Sequence, residues 1–154
     1  MSNYQIVDEY NKNLMYIMDA LKKSGETNNI ELERLGKTLF SDLFLGVFSA
    51  EKFPKYIRNN ELFIINNKSS RAKEGQHWVA FIKSSKNKDH TSRLYGYDSF
   101  NRDIHKLSPH FRHRRFINAN SNRDESFFEL NCGERCMAFL ISFYKHGDKV
   151  IRLI

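Results

Sequence analysis

Three residues in the second half of the chain have side chains that could together perform nucleophilic chemistry. His77, Asp98 and Cys132 follow one another in that order. A histidine, a carboxylate and a cysteine are the components of a thiol nucleophile with its base and the group that orients the base. Cys132 stands where an apolar helix is predicted to begin, and helix N-termini stabilise thiolates. The residue types and their order therefore predict a Cys–His–Asp site.

Two neighbouring residues indicate how a substrate would be held. Gly133 follows the cysteine and lets another chain approach the first helical turn, whose unpaired backbone N–H groups could bind an oxyanion. Trp78 follows the histidine and is expected either in the core or as a wall over the substrate backbone.

His77 and Asp98 are 21 positions apart, at the start of one predicted strand and the end of the next. In an antiparallel hairpin those two ends lie side by side.

Other interpretations of the same residues stay open. His77 could be structural, Asp98 could begin a turn, and Cys132 could be a small buried hydrophobe. A zinc site is conceivable from two cysteines four residues apart and three upstream histidines: Cys132, Cys136, His105, His110 and His113. Helical Cys-x-x-x-Cys matches the usual zinc spacing poorly, so we expect no metal and place Cys136 in the core.

Composition indicates one folded domain over residues 1–154. The chain is 40% hydrophobic and 14% aromatic, with two prolines and two cysteines. It shows no signal peptide, membrane span or disulfide framework, which predicts a protein that is not secreted and resides in a reducing compartment. The net charge is +7, concentrated in residues 112–115 and in Lys83, Lys86 and Lys88. This surplus fits a solvated surface or contact with nucleic acid.

The pattern of apolar residues predicts helices first and strands afterwards. An amphipathic helix is expected at about 4–24, ended by Gly25, and a second from an Asn29 cap to about Phe44. Strand-like runs follow at 62–66, 78–83, 93–97 and 115–118. The last helix, 132–146, is apolar nearly all round and belongs in the core. The chain is therefore predicted to be an α+β domain with a central cysteine helix on an antiparallel sheet.

Four segments resemble one known family. Residues 44–54, 75–81, 94–100 and 132–140 are similar to segments of the adenovirus-type endopeptidases. These are short cysteine proteases with which adenoviruses, large DNA viruses, virophages and related mobile elements mature their capsids. The segment 44–54 is not catalytic and so adds independent weight to the resemblance.

The resemblance implies a fold, an activity and partners. Cys132, His77 and Asp98 fall on the family's nucleophile, base and acidic third member. The implied fold is papain-like, similar to that of the ubiquitin-like-modifier proteases, with the cysteine helix packed on a small, mainly antiparallel sheet. The implied substrates are viral capsid precursors, cleaved after small residues such as glycine, in the virion and the host-cell interior (a cytoplasmic virus factory or the nucleus). No cofactor is implied, although some members are stimulated by DNA.

One departure from the family lies before the nucleophile. The family usually has a glutamine six or seven positions upstream that donates to the oxyanion, and Glu125 stands there in this chain. An ionised carboxylate there would repel the oxyanion, so either Glu125 is protonated, or Ser126 or Asn131 donates, or the backbone N–H groups act alone. Losing one donor typically costs about 2.7–4 kcal/mol. Two alternatives therefore stay open: a protease that removes ubiquitin-like modifiers after Gly-Gly, and an inactive protease-fold protein that binds nucleic acid.

Overall fold

Three α-helices and a mixed five-stranded sheet make up the part of the chain that the computed structural model describes, residues 1–21, 28–66, 77–119, 132–151 and 153–154. The helices are α1 (Asn3–Leu21), α2 (Asn29–Phe40) and α3 (Cys132–His146). The predicted α+β content is confirmed at this level. Within the described ranges, no helix is long and apolar enough to cross a membrane.

The start of α2 corrects the predicted cap by one residue. Asn28, not Asn29, caps the helix: its side chain accepts a hydrogen bond from the Glu31 N–H at 3.0 Å. The Glu31 carboxylate accepts one from the Asn28 N–H at 3.2 Å. This reciprocal capping box satisfies two backbone donors at once, which a cap at Asn29 would not achieve. Asn29 is thereby left to bond elsewhere.

The end of α2 and the strand after it also differ from the prediction. The helix ends at Phe40 rather than near Phe44, and Phe44 begins a strand, β1 (Phe44–Ser49), that the sequence analysis did not predict. An added Cβ on Gly36 would lie 2.5 Å from the Phe44 ring. The glycine that weakens the helix in sequence terms is therefore the residue that lets β1 pack against it.

The remaining strands are β2 (Leu62–Asn66), β3 (Trp78–Ser84), β4 (Arg93–Tyr97) and β5 (Ile117–Asn118), and the sheet order is β1-β2-β3-β4-β5. The bounds predicted for β2 and β4 are confirmed, and β5 is shorter than predicted. Strands β2, β3 and β4 pair antiparallel, whereas β1 and β5 join parallel to their neighbours. The sheet is thus mixed, and the expected mainly antiparallel arrangement holds only for its centre.

Helix α3 lies in the middle of the molecule, as its apolar composition predicts. One side packs on the sheet, where the Phe139 and Tyr97 rings stack with centroids 4.3 Å apart. The other side is covered by α1 through its buried residues Ile6, Tyr10, Leu14 and Ile17. Since α1 completes the burial of α3, the N-terminal helix has at least a structural role. The predicted end of this helix, 22–24, lies outside the described residues.

Candidate active site

The antiparallel hairpin of β3 and β4 brings His77 and Asp98 together. His77 immediately precedes β3, Asp98 immediately follows β4, and Ala80 pairs with Tyr97 in the register. The start of β3 and the end of β4 therefore lie side by side at the same end of the sheet. His77 Nε2 is hydrogen-bonded to Asp98 Oδ1. Both residues are buried, with 7% of His77 and 0% of Asp98 exposed.

The Asp98 carboxylate is held in its charged form. Burial alone would raise its pKa, but hydrogen bonds from His77 and Arg102 outweigh burial and lower the pKa to about 2. Asp98 is therefore ionised at neutral pH and can only accept hydrogen bonds. His77 must then present Nε2–H to the carboxylate, which makes Nδ1 the ring nitrogen able to accept a proton.

Two residues that the sequence analysis did not identify complete this cluster. The Arg102 guanidinium donates to Asp98 Oδ2 from Nε at 2.9 Å and to Oδ1 from Nη2 at 3.3 Å. The Phe100 ring stacks on the His77 imidazole, with centroids 4.6 Å apart and planes 11° from parallel. The four-residue spacing of Asp98 and Arg102 gave no signal, because that spacing brings charges together on a helix, whereas here a turn after β4 does so. Phe100 lies inside a quoted family segment but carried no signal of its own.

Cys132 begins α3 close to the start of β3. It is 5% exposed and occupies the first turn of the helix. A Cβ on Gly133 would lie 3.4 Å from Trp78 Cε3, and Cys136 Sγ donates to the Trp78 carbonyl at 3.3 Å. Gly133 and Cys136 at the start of α3 therefore lie against Trp78, which directly follows His77. Cys132 and His77 belong to the same junction, where α3 and β3 begin.

Trp78 supports this junction from within the core. It is completely buried, and its indole N–H donates to Asn29 Oδ1 at 3.0 Å. This contact uses the asparagine that Asn28 displaces from the cap. Of the two predicted roles for Trp78, the position favours core packing over a wall for the substrate. Cys136, fully buried in the same cluster, occupies the predicted core position.

The remaining predicted residues divide into two groups. Glu125, Ser126 and Asn131 lie outside the described residues. For the zinc alternative, no group of three or more His, Cys, Asp or Glu side chains in the described ranges could hold a metal ion. His105 instead donates from Nε2 to the Arg114 carbonyl at 3.0 Å and stacks on Phe116. His110 and His113 are exposed.

No protein-family model, curated protein or solved structure matches the chain.

A basic groove of about 660 Å³ lies at the opposite end of β3 and β4. Its lining includes five basic side chains and, among the described residues, no acidic one: Lys55, Lys83, Arg93, Arg114 and Arg115. Beside Lys55, Tyr56 is 90% exposed, which is unusual for so large a ring. The strand rise puts this groove about 20 Å from His77. The cationic runs of the sequence thus contribute to one concave surface away from the buried His77–Asp98 pair.

Proposed function

We propose that this protein is a cysteine endopeptidase in which Cys132 is the nucleophile, His77 the general base and Asp98 the residue that orients the base. The observation that carries the proposal is the buried, hydrogen-bonded His77–Asp98 pair, located at the start of β3 against the first turn of the helix that Cys132 begins. A buried ionised carboxylate is costly unless it is paired. Because the carboxylate is paired with a histidine beside a cysteine at a helix N-terminus, a catalytic role explains the pair better than a purely structural role.

The chemistry follows from the protonation states. Asp98 fixes His77 with its proton on Nε2, so Nδ1 accepts the Cys132 proton and the resulting imidazolium is stabilised by the carboxylate. The thiolate then attacks the peptide carbonyl, and the N–H groups of the first turn of α3 bind the tetrahedral oxyanion. His77 returns the proton to the leaving amine. Water finally hydrolyses the thioester with His77 again as the base.

For the substrate, the proposal follows the family resemblance of the four sequence segments. It assigns cleavage after small residues, such as glycine, in viral structural precursors during capsid maturation, inside the infected cell and the virion. A ubiquitin-like modifier ending in Gly-Gly is the alternative substrate. Incubating the enzyme with capsid precursors and with a modifier fusion, and sequencing the products, distinguishes the two.

Thiol reactivity tests the site without a known substrate. Wild type, His77→Ala and Cys136→Ser are alkylated with iodoacetamide from about pH 4 to pH 9, and each thiol is followed by peptide mapping. We expect Cys132 to react well below the ordinary thiol pKa of about 8.5. His77→Ala should remove that reactivity, whereas Cys136→Ser should retain it. Slow labelling of Cys132 that does not depend on His77 would overturn the proposal.

Turnover supplies a second test. Cys132→Ala is expected to abolish cleavage of any precursor that the wild type processes while the circular dichroism spectrum stays unchanged, because the variant loses only the attacking sulfur. Residual cleavage by the purified variant would assign the nucleophile to another residue.

A second function, binding of single-stranded nucleic acid, is favoured by the basic groove. Five cations line the groove and supply charge for phosphates, and the exposed Tyr56, next to Lys55 in the sequence, offers a ring on which a base can stack. Binding of a fluorescent oligonucleotide should weaken with salt, and Arg115→Gln should reduce the log–log salt slope by about 0.7 for one lost phosphate contact. Tyr56→Ala should weaken binding by about 1–3 kcal/mol. Binding that does not depend on salt, or that neither substitution changes, would show that the groove is not the binding site for nucleic acid.

The two functions are separable by one further result. Oligonucleotide binding without His77-dependent labelling of Cys132 would identify an inactive protease-fold protein that binds nucleic acid. Labelling without binding would leave a protease with no nucleic-acid partner at this groove.

A further inference from the structure

We propose that Arg102 is a positioning residue of the catalytic site, fixing the Asp98 carboxylate directly and the His77 ring through Phe100. The inference rests on the proposed function and names a group that neither the triad motif nor the family resemblance assigns.

Arg102 makes several hydrogen bonds to the Asp98 carboxylate. Besides the two guanidinium bonds, the Arg102 backbone N–H donates to Asp98 Oδ2 at 3.0 Å. Asp98 Oδ1 also bonds His77, so both carboxylate oxygens are bonded and neither can rotate without breaking a charge-assisted bond. The turn between them is closed by a hydrogen bond from the Asn101 N–H to the Asp98 carbonyl at 2.9 Å. The carboxylate is therefore fixed in position and in orientation.

Arg102 also contacts the aromatic ring that lies on His77. Its guanidinium carbon is 5.1 Å from the centre of the Phe100 ring, and that ring stacks on the imidazole of His77. Phe100 is thus held between a cation and the proposed base. Asp98 fixes one edge of the imidazole and Phe100 fixes its plane. Arg102 contacts both of these supports, so a single side chain restrains two neighbours that orient His77.

The positive charge of Arg102 also affects the pKa of Asp98. His77 and Arg102 are the groups whose hydrogen bonds and charges lower the Asp98 pKa. Without the guanidinium, one of the two side chains that lower this pKa would be missing, and the effect of burial on Asp98 would be opposed less strongly. Protonation of Asp98 would then begin at a higher pH, and the carboxylate would stop accepting the His77 proton there.

The experiment compares pH profiles of Cys132 alkylation in wild type, Arg102→Gln, Arg102→Lys and a matched control, Lys12→Gln. The control removes a cation that also pairs with an aspartate four residues earlier, Asp8, but at the surface and outside both proposed sites. We expect Arg102→Gln to lower the rate at about pH 6 roughly tenfold and to move the acid limb up by about one pH unit. Arg102→Lys should keep the acid limb, because it retains the charge, but lose about threefold in rate, because it lacks the planar fork. The control should superimpose on wild type.

Each outcome has a distinct meaning. An Arg102→Gln profile that coincides with wild type, while His77→Ala abolishes reactivity, overturns the role of Arg102 and leaves the proposed function intact. If circular dichroism shows that Arg102→Gln does not fold, Arg102→Lys decides, and a lysine profile identical to wild type in rate overturns the inference. Wild-type labelling that ignores His77 overturns the proposed function and the Arg102 role with it.

Discussion

The two ends of the β3–β4 hairpin use the same residue types in opposite ways. At one end, which we call the site end, Asp98 is completely buried and is bonded by His77 and Arg102. At the other, the groove end, Asp89 and Arg93 form the same four-residue pair with 59% and 42% of their side chains exposed. Both aspartates have an arginine partner, yet only one is enclosed by the core.

The difference shows where charge can be used for chemistry. At the groove end the Asp89–Arg93 pair is open to solvent and screened by water, so it contributes about 0–1 kcal/mol. At the site end the charges are desolvated, so removing one partner leaves an uncompensated charge and carries a large penalty. The site end therefore fixes protonation and orientation, whereas the groove end offers a surface for binding.

Replacing the two aspartates in turn tests this contrast most strongly. Asp98→Ala is expected to reduce peptide turnover on the order of 10⁴-fold, because the imidazole loses the group that orients it and stabilises its charged form. Asp89→Ala should change turnover less than about twofold, because a solvated pair holds nothing in the site. The measurement is turnover of a precursor peptide that wild type cleaves. Equal effects at both positions would show that burial does not distinguish the two ends.

Acid stability gives the next largest difference. The Asp98 pKa is lowered from 3.8 to about 2 in the folded protein. A lowered folded-state pKa stabilises the protein above the unfolded value, and that stabilisation is lost as the pH falls towards the folded value. We expect the advantage of wild type over Asp98→Asn in free energy of unfolding to shrink by about 2 kcal/mol between pH 5 and pH 2.

Urea unfolding at several pH values measures this advantage, and Asp89→Asn is the matched control. The control should remain within about 0.5 kcal/mol of wild type across the range, as expected for an exposed pair. A constant difference between wild type and Asp98→Asn at every pH would mean that the Asp98 pKa is not lowered by folding.

How far the sequence predicts these features depends on whether the signal is local. The bounds of β2 and β4 were predictable because apolar runs between polar turns define a strand by themselves. The edge strand β1 was not, since the apolar residues from Phe44 to Phe48 continue the pattern of the preceding helix. The chain leaves the helix at Ser41, whose φ is 53°, and Phe44 then packs against Gly36, a contact between two elements that no local pattern predicts.

The site divides in the same way. Residue types and order predicted His77, Asp98 and Cys132 as partners, and the first two are hydrogen-bonded. The roles of Arg102 and Phe100 depend on a turn that brings both back over His77, and a turn of this kind has no periodic pattern. The capping of α2 was missed by one residue because adjacent asparagines satisfy the same rule, and only the reciprocal bond with Glu31 distinguishes them.

The core beneath the site end offers a test of intermediate size. Cys136→Ser places a hydroxyl in a fully buried position against the Trp78 carbonyl, which should lower the free energy of unfolding by about 1–3 kcal/mol. Because Cys136 supports the junction and does no chemistry, Cys132 labelling should stay within about twofold of wild type. Denaturant unfolding and peptide mapping measure the two effects. Lost reactivity in a stably folded variant would instead favour a redox or metal role for the two cysteines.

The smallest expected effect belongs to Arg93 at the groove end. Arg93→Gln removes a 2.7 Å ion pair with Asp89, but both side chains already contact solvent, so water replaces most of what the pair supplied. The free energy of unfolding should change by less than about 0.5 kcal/mol in denaturant titrations. A loss of about 1–3 kcal/mol, as large as that expected from Cys136→Ser, would mean that the strand ends are coupled through β4, which joins Arg93 to Asp98. The contrast between a buried site end and a solvated groove end would then fail at the one pair that is otherwise matched in sequence spacing.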